Sequence, residues 1–161
     1  VLKEIINENN NFANKLQLKL IGKVDYSIDN SIQDFNLDEY VKKFSYLPHN
    51  KVISHQKSSR VLLLMVNNTP NSKGIITGKI FEYMASNRPI LVIGPEDGDL
   101  AKIISATKSG VVCGYDNEVK LKEIILDLFN NKLIFNPNFK KYSRKNLTKN
   151  LSIILDNHLN N

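Results

Sequence analysis

The residues best placed by type and spacing to do chemistry are Thr77, Gly78, Lys79 and Glu82. Thr77-Gly78-Lys79 opens a helical pattern in which Ile80, Phe81, Met84 and Ala85 supply the apolar face. Free backbone N–H groups at a helix start favour anions, and a glycine there lets a ligand approach the backbone closely. Lys79 adds a point charge suited to a phosphate. The same residues also read as an ordinary helix start, with Thr77 as an N-cap and Gly78 and Lys79 as first-turn residues. Glu82 follows Lys79 by three positions on nearly the same face. It either accepts hydrogen bonds from a ribose hydroxyl pair, as acidic residues do in nucleotide sites, or pairs with Lys79 across one helical turn.

This helix must be held by its flanking elements. The run Val61–Val66 is apolar throughout, which predicts a strand buried on both faces. A polar loop, Asn67–Ile76, separates it from the helix. The helix is expected to stop near Asn87, ahead of Pro89, and Ile90–Ile93 reads as a second buried strand running into Gly94-Pro95. Strand, loop, helix and strand make a βαβ unit, and its first loop lies where open α/β sheets bind phosphate-bearing ligands. Arg60 and Lys73 flank this corner, as phosphate contacts or as solvated charges.

Upstream, a helical pattern runs to about Asn14 (Leu2, Ile5, Ile6, Phe12), a strand is expected over Leu16–Val24, and Gly22 marks its end. Asp25–Asn36 is polar and predicts at most one helical turn, around Ser31–Phe35. Tyr40–Leu47 reads as a strand closed by Pro48, with Tyr46-Leu47 at a strand end where exposed backbone could pair with a base. A short helix capped by Asn50 is expected to Ser58.

Downstream, Glu96-Asp97-Gly98-Asp99 lacks the ligand alternation of a calcium loop, and reads as a turn with Asp97 or Asp99 capping the helix Leu100–Thr107. Gly110 to about Tyr115 is a strand holding the lone Cys113, read as a buried core residue. Asp116 or Asn117 caps an amphipathic helix, Val119–Asn131. After a linker with Pro137, a second amphipathic helix spans about 142–159, with Leu147, Leu151, Ile154 and Leu155 on one side.

The alternation predicts an α/β, Rossmann-like, doubly wound parallel sheet with helices on both faces, in one domain over residues 1–161. The chain starts with a helix where such a sheet starts with a strand, so a first strand and its glycine-rich turn are expected upstream.

Composition is that of a globular protein, 42% hydrophobic and 24% charged, with no apolar run approaching the roughly 20 residues of a membrane span. His49, His55 and His158 have no metal-ligand spacing, so no metal site is expected. The net charge of +6 suits nucleic acid, an acidic membrane surface or a phosphorylated small molecule. Much of it lies in a tail, Lys132, Lys140, Lys141, Arg144, Lys145 and Lys149, without interleaved aromatics beyond Phe139 and Tyr142. No nucleic-acid partner is expected from it. P-loop and dinucleotide glycine signatures are absent. So are the clustered His and carboxylates of an epimerase and the phosphorylatable acidic pocket of a response regulator.

The stretch GKIFEYMASNRPILVIGPEDGDLAKIISATKSGVVCGYDN resembles the C-terminal half of bacterial GT-B glycosyltransferases, the group that includes glycosyltransferase family 4. Lys79, Glu82, Met84, Ala85, Arg88, Pro89, Ile90, Gly98, Gly110 and Val112 carry the likeness, which extends over about residues 16–129. It implies a hexosyltransferase-like enzyme of cell-surface polysaccharide or glycolipid synthesis, with a UDP- or GDP-type sugar as donor and no other cofactor. By that resemblance Glu82 binds the ribose, Thr77, Gly78 and Lys79 lie by the diphosphate with Lys79 as its stabiliser, and Tyr46-Leu47 receives the base. Such an enzyme works in the cytoplasm, peripherally at the inner membrane face. The acceptor, a glycan or lipid-linked glycan, binds an N-terminal half absent here, so the chain alone is expected to be inactive. The pattern departs at Gly74, where many relatives carry an acid directed at the donor sugar. The alternative reading is a non-catalytic nucleotide- or phosphate-binding module of Rossmann-like topology.

Overall fold

The computed structural model describes residues 1–159. They form an α/β structure whose strands pair only in parallel, as expected of a Rossmann-like chain. The described residues divide into two compact units, residues 1–59 with 116–133, and residues 60–115 with 134–159.

In the first unit the N-terminal helix is two pieces, α1 (Leu2–Glu8) and α2 (Asn10–Ala13). Asn9 breaks it by turning extended, and its side chain accepts from the Phe12 amide to cap α2. β1 (Leu18–Ile21) ends at Gly22, whose φ of +107° only glycine adopts readily. The polar stretch after it forms a full helix, α3 (Tyr26–Asp34), where a single turn was expected. Asp25 caps it by accepting from the Ser27 amide and hydroxyl, and Ile32 is its one buried residue. The Ser27 hydrogen bonds hold the Asp25 carboxyl below its ordinary range. β2 (Val41–Phe44) pairs in parallel with β1, Leu18 opposite Val41.

Helix α4 (His49–Ser58) starts one residue earlier than expected, with Pro48 at its boundary and no side-chain cap. The Asn50 side chain instead accepts from the neighbouring Lys51 amide. Asn117 caps α7 (Glu118–Phe129), settling the choice left open with Asp116. The core here is made by helices: Ile5, Ile6 and Phe12 are buried, with Ile125, Leu126 and Phe129 of α7 packed against them. Phe12 and Phe129 meet edge-to-face at 5.1 Å. The Lys122 ammonium ties α7 to α1 through Glu8 at 2.8 Å and Glu4 at 3.6 Å.

The second unit holds a three-stranded parallel sheet in the order β3 (Leu62–Met65), β4 (Ile90–Ile93), β5 (Gly110–Cys113). Leu64, Val66, Ile90 and Val92 share one face, covered by Ile80 and Met84 of α5 (Lys79–Ala85) and by Leu100, Ile103 and Ile104 of α6 (Asp99–Thr107). β4 is buried as expected, but β3 is not buried on both faces: Leu63 and Met65 are exposed. The apolar run is continuous, yet β3 buries alternate residues because only one of its faces carries the α5 and α6 packing. Cys113, the single cysteine of the sequence, is fully buried.

Gly110 is required by proximity. Any Cβ there would lie 2.0 Å from the carbonyl oxygen of Ile90, its partner across the β4–β5 ladder. The last helix, α8 (Arg144–Leu159), buries none of its described residues.

Candidate functional site

α5 follows the carboxyl end of β3, so its first turn opens at the carboxyl edge of the three-stranded sheet. Three loops meet at that edge. Lys73, in a short 3-10 turn (Ser72–Gly74), donates to Asp97 Oδ2 at 2.6 Å and so joins the β3–α5 loop to the β4–α6 loop. That hydrogen bond above all holds the Asp97 carboxyl below its ordinary value, although both side chains are largely exposed. Glu96 Oε1 accepts from the Gly114 amide at 2.8 Å, and the Tyr115 hydroxyl donates to the Asn67 carbonyl at 3.2 Å. The exit of β5 is thereby tied to both other loops. Gly98 permits part of this packing, since a Cβ there would lie 3.0 Å from the Lys73 carbonyl oxygen.

Of the sequence-predicted residues, the edge brings together Thr77, Gly78, Lys79 and Glu82. Gly78, Lys79 and Glu82 are exposed and Thr77 is half-buried. The helix opens as a tight turn. Ile80 and Phe81 amides donate to the carbonyls of Thr77 and Gly78 at 3.2 Å, and the Lys79 amide reaches the Thr77 hydroxyl at 3.4 Å. These amides, expected to be free for an anion, are therefore engaged within the chain, the Lys79 amide only by a long bond. Among the described residues no ion pair joins Lys79 to Glu82. Burial, with the Glu82 charge adding to it, raises the pKa of the neighbouring Tyr83 hydroxyl above its ordinary value.

Gly78 has ordinary helical torsions (φ −59°, ψ −25°), and a Cβ there would meet nothing within 4 Å. Neither conformation nor packing demands glycine at this position. Gly74 is equally open, so a side chain there would project into free space.

Tyr46 and Leu47 belong to the other compact unit, just past the end of β2, with Tyr46 exposed. Neither Asp97 nor Asp99 caps α6 as expected. Gly98 occupies that position without a side-chain bond, Asp97 is held by Lys73, and Asp99 pairs with Lys102 at 2.8 Å. Lys73, one of the two flanking cations, is thus engaged in fixing loops.

The loop-fixing residues Asn67, Glu96, Asp97 and Tyr115 were not foreseen. Their partners lie 18 to 48 positions away in the chain, and no local spacing signals such pairs. A cleft of about 210 Å3 lined by Asn87, Arg88, Pro89, Ser109, Phe135 and Pro137 lies at the amino ends of β4 and β5, away from this corner. Among the described residues, no helix is long and apolar enough to cross a membrane. Comparison of the chain with family models, with curated proteins and with solved structures gives no match.

Proposed function

We propose that this chain is the nucleotide-sugar-binding part of a GT-B-type glycosyltransferase that transfers a hexose to a cell-surface polysaccharide or glycolipid acceptor at the cytoplasmic face of a membrane. The observation that carries the reading is α5 itself. It opens at the carboxyl edge of a parallel sheet and presents a cation, Lys79, and a carboxylate, Glu82, one turn apart and exposed.

That pair matches the two chemistries of a nucleoside diphosphate. The Lys79 ammonium stabilises the charge that develops on the diphosphate leaving group, and Glu82 accepts from the ribose hydroxyls. Gly78 leaves the backbone uncovered, so a phosphate can approach it closely. Tying the three loops together holds this corner in one geometry before ligand arrives.

A second reading, a nucleotide-binding module without transferase chemistry, is favoured by Gly74, which offers no side chain to a donor sugar. Titration calorimetry of the full-length protein separates the possibilities. UDP or GDP is expected to bind, and Glu82→Ala to weaken binding about tenfold or more, since a hydrogen bond to a charged group is worth about 1.5–3 kcal/mol. The nucleotide sugar binding more tightly than the bare nucleotide supports the transferase; equal binding supports the module. No heat with either nucleotide overturns both.

A further inference from the structure

The cleft lined by Asn87, Arg88, Pro89, Ser109, Phe135 and Pro137 has a volume of about 210 Å3 and belongs wholly to the second unit. It opens at the amino ends of β4 and β5, the opposite edge of the sheet from the first turn of α5. A donor held by Lys79 and Glu82, and any acceptor that reacts with it, meet at the other edge. Neither fills this cleft.

Its walls are set by backbone hydrogen bonds. Asn87 follows α5 in a left-handed turn at φ +54°, its amide donating to the Met84 carbonyl at 3.0 Å. The Pro89 carbonyl accepts from the Leu62 amide at 2.9 Å, and the Ser109 carbonyl from the Ile90 amide at 3.0 Å. The wall of Phe135 and Pro137 is pinned by the next residue, Asn138, whose amide donates to the Thr107 carbonyl at 2.8 Å. Phe139 then packs against the core of the second unit.

The lining offers three chemistries. Pro89, Phe135 and Pro137 are apolar. Arg88 is exposed, and its guanidinium is a fork of N–H donors, more than a single partner uses. Among the described residues no carboxylate lines the cleft, so an anion gains a counter-charge there and a cation gains none. Ser109 is buried, with its hydroxyl 2.8 Å from that of Thr107. The Thr107 hydroxyl gives its one hydrogen to the Ile103 carbonyl at 2.7 Å, so Ser109 must give its own to Thr107. Ser109 Oγ is left as an acceptor, and a ligand meets it with a donor.

We propose that the cleft binds a small hydroxy-substituted aromatic carboxylate. The carboxylate pairs with Arg88, the ring lies against Pro89, Phe135 and Pro137, and the hydroxyl donates to Ser109 Oγ. An apolar cavity of about 150 Å3 takes up benzene, so the larger cleft suits one ring with small substituents. Inorganic phosphate would leave the apolar residues uncovered, and an uncharged ring would leave Arg88 unused. Bound there, the ligand joins the loops before β4 and β5 to the segment that leads into α8. The inference goes beyond the nucleotide reading and stands independently of it.

Titration of the full chain with 4-hydroxybenzoate, followed by amide nitrogen–proton NMR, tests it. Saturable shifts are expected to centre on Asn87, Arg88, Ser109 and Phe135. On the parent protein benzoate binds more weakly, and 4-hydroxybenzyl alcohol, which has no carboxylate, weaker by about tenfold or more. Arg88→Gln weakens 4-hydroxybenzoate by a similar factor. Ser109→Ala lowers it to the level of benzoate and leaves benzoate itself unchanged, a split that a merely structural role would not produce. Added UDP does not displace the ligand, so this proposal and the nucleotide reading fail separately. Four outcomes overturn the proposal: no saturable shifts at the cleft, binding unaffected by Arg88→Gln, equal binding of benzoate and 4-hydroxybenzoate, or inorganic phosphate bound there as tightly as either.

Discussion

The two compact units are built from the same kinds of element and hold together differently. In residues 60–115 the strands make the core. LLLM, ILVI and the VVC of β5 have no charged residue, and Ile90, Val92 and Cys113 are all but inaccessible. In the first unit the strands are LKLI and VKKF, none of whose residues is fully buried, and the core falls to α1, α2 and α7. Parallel strands read as continuous apolar runs where both faces are covered. Lys19 in β1 and the adjacent Lys42 and Lys43 in β2 limit what those strands can bury.

Phe12→Ala should separate the two units most strongly. It removes a buried ring and its edge contact with Phe129, and is expected to cost about 3–5 kcal/mol. Hydrogen exchange should then rise in α1, α2 and α7 while β3, β4 and β5 stay protected. Loss of protection in both units together would show that they unfold as one.

Gly110→Ala reverses the experiment. Its methyl group would meet the Ile90 carbonyl oxygen, forcing the β4–β5 ladder apart at a cost of about 2–3 kcal/mol. Here the exchange should rise in the three-stranded sheet, and an unchanged denaturation midpoint would contradict the close approach.

A smaller effect of opposite sign is expected at the site. Gly78→Ala places a methyl group in open space on helical backbone and should stabilise the chain by about 0.5 kcal/mol. If the bare backbone serves a ligand, the same substitution weakens nucleotide binding in calorimetry. Equal binding by both proteins would mean that Gly78 has no ligand role.

The smallest expected effect is the acid response of the loop tie. The Asp97 carboxyl is held below the ordinary 3.8 in the folded state. Its contribution is present above that value and is lost as pH falls through the lower folded value. A carboxyl carbon-13 titration of Asp97 should show a depressed midpoint that Lys73→Ala returns towards 3.8; an unmoved midpoint would remove Lys73 as the cause.

Legibility in the sequence followed locality. β4, α6, α7 and the burial of Cys113 were readable because their apolar spacing and the positions of Pro89, Gly110 and Asn117 are local signals. α3 was underestimated because it buries only Ile32, leaving a weak apolar period, while its capping Asp25 looked like one more polar residue. The one-faced burial of β3 was unreadable from a run of six apolar residues, since what lies over each face is set elsewhere in the chain.

For the site, the sequence alone determined that Lys79 and Glu82 stand one turn apart on one helix, because helical periodicity dictates it. It also determined where that helix begins to within two residues. Tertiary structure decided the rest: that Lys73 is drawn to Asp97, and that Glu96 and Tyr115 bind the loops around the corner. Hydrogen-bond partners 18 or more residues apart are chosen by the packing of strands that bring loops to one edge. That choice is a property of the folded sheet, and no residue spacing records it.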